Sequence, residues 1–178
     1  MVFLQGVSRL AIFAESLEMT LLAWLRLDIF DLLFVVTAVV FNIQIIGIYI
    51  ARQQGRDELV KIFGLFTIAQ ALPLAIVFIN HLWSGSEPWI TAGFAVILFY
   101  LVVELLLDFI YKVDFRGNPA LHIPYILLFY GVEFSLIAIA FSINTASGYL
   151  VSFSFWTLLL CLIAINWPKA RSILLQGE

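Results

Sequence analysis

The sequence predicts an all-α integral membrane protein, a bundle of five transmembrane helices preceded by an interfacial amphipathic helix. Of its 178 residues, 63% are hydrophobic and only 12% are charged, and the mean hydropathy is +1.08. Soluble domains carry about 25% charged residues, so this composition excludes a water-soluble fold. Alternating strand patterns are absent, and backbone groups in lipid must be hydrogen-bonded within their own segment, which favours helices over a barrel.

Five apolar runs approach the length needed to cross about 30 Å of hydrocarbon at about 1.5 Å per residue. They cover residues 29–51, 59–82, 89–111, 123–143 and 149–166. Pro73 lies inside the second run and predicts a kink, because proline lacks the amide hydrogen that a helix uses. Residues 28–178 are therefore expected to form one transmembrane domain, since no Gly/Ser/Pro-rich linker divides them.

The first 27 residues have a different pattern. Their polar residues recur near helical spacing and include Gln5, Ser8, Arg9, Ser16 and Thr20. Because a span needs about 20 mainly apolar residues, we expect this segment to form a helix that lies in the membrane interface. A sixth span is the alternative.

Lysine and arginine mark alternate connections. They occur in the first connection, in the third and in the tail, as Arg52, Arg56, Lys61, Lys112, Arg116, Lys169 and Arg171. The positive-inside rule then predicts a cytoplasmic C-terminus and, with five spans, an N-terminus outside. Arg9 and Arg26 are exceptions to the rule, because this orientation places these two cations outside the cytoplasm. The small size and short loops suggest a prokaryotic plasma membrane.

The sequence also argues against several classes of function and partner. A net charge of -3 gives no basic surface for nucleic acid. Cys161 is the only cysteine, so no internal disulfide or cysteine metal cluster is expected, and the two histidines are predicted on opposite sides of the membrane. The known nucleotide, hydrolase, metalloprotease and potassium-filter motifs are absent, and no cofactor is indicated. Membrane lipids are the expected partners, with a homo-oligomer or a larger membrane complex as further expectations.

Polar residues from four of the predicted helices lie at one depth. Counted from the nearest charged end at about 1.5 Å per residue, they are roughly 12–17 Å deep. They are Asn42, Gln70, Glu104 and Glu133. A carboxyl group near the bilayer centre costs a few kcal/mol even on the lenient insertion scale, and such groups usually mark pathways, relays or buried sites. The sequence therefore predicts a midmembrane site for a ligand or ion.

Helical spacing gives these residues neighbours. His122, Tyr130 and Glu133 share one face of the fourth predicted helix, while Glu104, Asp108 and Lys112 form a stripe on the third. Because a short connection joins these two helices, we expect them to pack antiparallel, with Glu104 and Glu133 able to approach each other. Two carboxyl groups in apolar surroundings cannot readily both be ionised.

Three functions fit these features. The first is proton- or cation-coupled transport or ion handling, with Glu104 and Glu133 supported by Gln70, Asn42 and Tyr130. The second is a lipid-binding protein or lipid-modifying enzyme. Its site would lie at the cytoplasmic face, with Arg116 holding a headgroup and Asp108, Asp114 and His122 as candidate catalytic residues. The third is a structural subunit of a larger complex, in which the polar residues only specify helix packing.

Overall fold

The computed structural model describes residues 27–112 and 118–176, with side chains described as far as residue 166. This part of the chain consists of helices joined by short turns. They are α1 (Ile29–Gln53), α2 (Asp57–Ala69), α3 (Ala71–Trp83), α4 (Pro88–Glu104), a π-helical segment (Leu105–Ile110), α5 (Pro119–Ile143) and α6 (Thr145–Gln176). The predicted interfacial helix over residues 1–27 lies outside the described residues except for Leu27.

Five segments are long and apolar enough to cross a membrane, which confirms the predicted fold class. They are Ile29–Gln53, Asp57–Trp83, Pro88–Ile110, Pro119–Ile143 and Thr145–Asn166. Two of these helices begin at capping side chains: Asp28 Oδ1 accepts a hydrogen bond from the Ile29 amide at 2.7 Å, and Asn118 Oδ1 accepts one from the Ala120 amide at 3.1 Å. Such caps satisfy amides that have no partner within the first helical turn.

The second span is broken in the middle. α2 ends at Ala69 and α3 begins at Ala71, with Gln70 in the turn between them. Pro73 explains the break, because it has no amide hydrogen to donate to the carbonyl of Ala69, four residues earlier. The helix is thus interrupted three residues before Pro73, next to the carbonyl that the proline cannot bond.

The third span changes its winding near one end. From Leu105 to Ile110 it is π-helical, and the Tyr111 amide donates to the Leu106 carbonyl, five residues earlier, at 2.8 Å. Lys112 follows the helix with a positive φ of 51°. The predicted stripe of Glu104, Asp108 and Lys112 assumed a regular α-helix. It is wrong for Lys112, which lies beyond the helix end.

The five spans form a closed ring around a buried core. The order of contact is α1, the second span, α4, α5 and α6, and α6 returns to α1. α1 and α6 run parallel, because Asn42 bonds Ser154 and Gln53 bonds Ile165. Aromatic rings fill much of the interior: Phe34 packs on Phe94 with centroids 5.4 Å apart. The outward faces carry many exposed large apolar side chains, as expected of surfaces that meet lipid.

Glycine allows one close approach at the turn between α5 and α6. A Cβ atom on Gly148 would overlap the ring of Phe141, whereas a Cβ on Gly131, in the middle of α5, would lie 3.6 Å from Val96 Cγ1.

We predict that Gly148→Ala lowers the free energy of unfolding by about 1–3 kcal/mol, because overpacking forces side chains and backbone to move. The measurement is unfolding by titration with SDS in mixed micelles. Gly131→Ala is the control, and equal stabilities of the two variants would contradict the predicted overlap.

Candidate functional site

Glu133 lies at the centre of the bundle, where three helices meet. Its side chain is 0% exposed, as is that of Asn42 on α1. One end of the Asn42 amide lies 2.9 Å and 3.1 Å from the two carboxyl oxygens of Glu133, and the other end lies 2.9 Å from Ser154 Oγ on α6. We call Asn42, Glu133 and Ser154 the central polar cluster. The structure thus brings two of the predicted site residues together.

Among the described residues, no cation lies beside Glu133 to balance a negative charge on its carboxyl group. Within residues 27–112 and 118–166, no lysine, arginine or histidine forms an ion pair with this carboxyl group. An isolated carboxylate in an apolar interior is costly unless hydrogen bonds or a counter-charge compensate it. Its binding to the neutral Asn42 amide is therefore the main compensation that the protein supplies.

The central polar cluster admits two hydrogen-bond arrangements. When Glu133 is ionised, Asn42 Nδ2 donates to the carboxylate and Asn42 Oδ1 accepts from the Ser154 hydroxyl. When Glu133 is protonated, its hydroxyl donates to Asn42 Oδ1, and Asn42 Nδ2 donates to Ser154 Oγ. Ser154 then donates to the Val151 carbonyl, 2.8 Å away. Turning the amide over by half a rotation interconverts the two arrangements, and in each of them Asn42 is hydrogen-bonded to both Glu133 and Ser154.

Glu104 belongs to a different group of residues. It is 5% exposed, and Tyr125 on α5 donates a hydrogen bond to its Oε2 at 2.5 Å. The Tyr125 hydroxyl also lies 2.9 Å from that of Tyr100, which can donate to it. Tyr125 is eight residues before Glu133, or about 12 Å along α5. The two carboxyl groups therefore have separate partners, and the expected Glu104–Glu133 pair is replaced by two distinct polar groups.

A cavity of about 620 Å³ lies between α1, α4, α5 and α6 at the end of the bundle that carries Arg52. We call it the Arg52 cavity. Its polar lining residues are Tyr49, Arg52, Tyr100, Glu104, His122, Tyr125 and Asn166, and its apolar ones are Ile45, Ile48, Ile126 and Phe129. Ile45 is three residues after Asn42, and Phe129 is four before Glu133. The inner wall of the cavity is therefore within about one helical turn of the central polar cluster.

Gln70 occupies the break in the second span. It is only 7% exposed, and among the described residues neither of its side-chain polar atoms has a hydrogen-bond partner. One turn earlier, Thr67 Oγ1 lies 3.2 Å from Gln44 Oε1, which links the second span to α1. Gln70 lies beside the freed Ala69 carbonyl but is not joined to the central polar cluster by a hydrogen bond.

The remaining predicted residues are dispersed. Tyr130 is 36% exposed and packs against Phe129 and Phe155. Asp108 lies in the π-helical segment, while His122 lines the Arg52 cavity. Asp114 and Arg116 lie outside the described residues. In the described part of the chain, no three His, Cys, Asp or Glu side chains cluster in a way that would hold a metal ion.

Sequence reasoning missed Ser154 and Arg52 as site residues. A serine in an apolar helix carries no signal of its own, because it can bond its own backbone. Arg52 was used only to orient the chain, although its side chain also lines the cavity. No protein-family model, curated protein sequence or solved structure matches the chain, so the geometry alone supports the functional argument.

A double-mutant cycle tests the central polar cluster. We predict that Asn42→Ala and Glu133→Ala are coupled by about 0.5–3 kcal/mol in the free energy of unfolding, because each removes the other's partner. The matched control pairs Asn42→Ala with Thr157→Val, since Thr157 bonds only within α6. Additive effects of Asn42→Ala and Glu133→Ala would show that the two side chains do not interact.

Proposed function

We propose that the protein is a proton-coupled carrier in which Glu133 binds and releases the coupling proton. The observation that carries this proposal is the complete burial of Glu133 against the neutral amide of Asn42. Either end of that amide can face the carboxyl group, so each protonation state of Glu133 can keep a hydrogen bond to it. A carboxyl group that only fixed helix packing would need hydrogen bonds in one protonation state. A group that carries a proton needs hydrogen bonds in both its ionised and its protonated state.

The surroundings of Glu133 support a role in coupling. The inner apolar wall of the Arg52 cavity, at Ile45 and Phe129, lies within about one turn of the buried carboxyl group, so a proton entering through the cavity would have only that wall to cross. Ionisable residues inside membranes usually mark ion pathways and proton relays when they face the interior of a bundle. In this proposal the Arg52 end faces the cytoplasm, as the distribution of lysine and arginine predicts.

The same two helices carry residues of the central polar cluster and residues of the Arg52 cavity, which provides a structural link between proton binding and solute binding. α1 carries Asn42 and Arg52, and α5 carries Glu133 and His122. When Glu133 changes its protonation state, the Asn42 amide turns over, and the bond between α1 and α6 changes its donor. A shift in how α1 packs on α5 and α6 would then alter the cavity that the same helices line.

The test uses the full chain in liposomes that contain a pH-sensitive dye. Amino acids, amines, organic acids, Na⁺ and K⁺ are added outside one at a time. At least one should drive a change in internal pH with the wild-type protein. We predict that Glu133→Gln reduces this flux to the level of protein-free liposomes, because an amide cannot exchange the coupling proton.

Glu58→Gln is the matched control, because Glu58 is an exposed residue in the first turn of α2. It should retain the wild-type flux. A solute-driven flux in Glu133→Gln equal to that of the wild type would refute the proposal, and so would a wild type that responds to none of the solutes. Retention of the wild-type thermal midpoint in Glu133→Gln shows that the comparison is between folded proteins.

A further inference from the structure

The polar groups of the Arg52 cavity are arranged in layers. Along α1, positions 45, 48, 49 and 52 run from the inner wall to the mouth, and along α5 positions 129, 126, 125 and 122 do the same. The inner layer is apolar and aromatic, and contains Ile45, Tyr100 and Phe129. The middle layer contains Glu104 and Tyr125, and the mouth contains Arg52 and His122. Negative and positive groups therefore occupy different depths.

The inner part of the cavity suits a cationic group. The Glu104 carboxyl is fixed in position by the hydroxyl of Tyr125, which in turn contacts that of Tyr100. The rings of Tyr100 and Tyr125 lie with centroids 5.7 Å apart, and Phe129 packs 6.0 Å from Tyr100. A carboxyl group beside several aromatic faces is the combination that recognises ammonium groups, including quaternary ones.

The mouth suits an anionic group. Arg52 presents a guanidinium whose planar donors match carboxylate and phosphate oxygens. His122 and Asn166 add further nitrogen groups from α5 and α6. Because His122 is three residues from Tyr125, the two layers are about 4.5 Å apart along α5. A cavity of 620 Å³ is also within the range of about 300–1,000 Å³ that small-molecule sites occupy.

We propose that the Arg52 cavity binds a small soluble zwitterion, with its ammonium group at Glu104 and its anionic group at Arg52. This names the solute class of the proposed carrier and rests on that proposal for movement across the membrane, although not for binding. The headgroup of a zwitterionic lipid has the same chemistry. Its terminal ammonium group would enter the cavity first and take the same orientation, so the experiment separates the two sources.

The experiment measures binding to the purified full chain by isothermal titration calorimetry at neutral pH. The probes are phosphocholine, glycine betaine and leucine, with choline and acetate as counterparts that carry one charge. At least one zwitterion should bind more tightly than both counterparts. We predict that Arg52→Gln weakens zwitterion binding by about tenfold or more and leaves choline binding unchanged, because only the anionic group is affected.

Glu104→Gln should weaken binding of both the zwitterion and choline. Arg56→Gln and Glu58→Gln are the controls, since both residues are exposed and neither lines the cavity. Unchanged zwitterion affinity in Arg52→Gln, or no binding of any zwitterion by the wild type, would overturn the proposal.

Two further measurements separate binding from transport, and a soluble solute from a lipid headgroup. The purified wild type should bind the zwitterion whether or not it moves protons in liposomes, so failure of the carrier proposal would leave the binding result intact. In nanodiscs of phosphatidylglycerol, added phosphatidylcholine should not displace bound phosphocholine. Displacement would assign the cavity to a lipid headgroup and overturn the assignment to a soluble solute.

Discussion

The structure depends on how polar groups are satisfied where no water is available. Several side-chain hydroxyls find a hydrogen-bond partner within their own helix: those of Thr37, Thr67 and Ser135 donate to carbonyls four residues earlier. Glu133 cannot be satisfied in this way, because a carboxyl group needs donors or acceptors beyond its own helix. It therefore requires Asn42 from α1, and Asn42 in turn requires Ser154 from α6. One carboxyl group thus determines where three helices meet.

The helices that meet at Glu133, Asn42 and Ser154 also line the Arg52 cavity. The parallel helices α1 and α6 are joined at the centre through Asn42 and Ser154 and near one end through Gln53 and Ile165. The Arg52 cavity lies between these helices and the antiparallel partner α5. Its shape is therefore set by the same packing that holds Glu133. The break at Gln70 lies in the second span, outside this arrangement, and follows from Pro73 rather than from the central polar cluster.

The membrane fold could be predicted from the sequence because the length and apolar character of each span are local properties. The interruption of the second span near Pro73 was predictable for the same reason. The partners of Glu133 were not, because the offset that aligns Asn42 with Ser154 arises from packing between helices far apart in sequence. Depth counting grouped Asn42 with Glu133, which are in contact. It also included Gln70, which no hydrogen bond joins to them, and Glu104, which binds Tyr125 instead. Equal depth does not specify which faces meet, and the π-helical segment after Glu104 changes the facing of the residues beyond it.

The choice of glutamate at position 133 is itself informative. A glutamine there would offer Asn42 a fixed donor and a fixed acceptor, and the cluster could be satisfied by a single arrangement with no charge to bury. Glutamate retains the desolvation cost of its ionised form and gains only the ability to exchange a proton. Because the Asn42 amide can turn over to match either state, Glu133 keeps a hydrogen bond to Asn42 whether or not it carries the proton. The proposed proton exchange would account for the cost of burying a carboxyl group at this position.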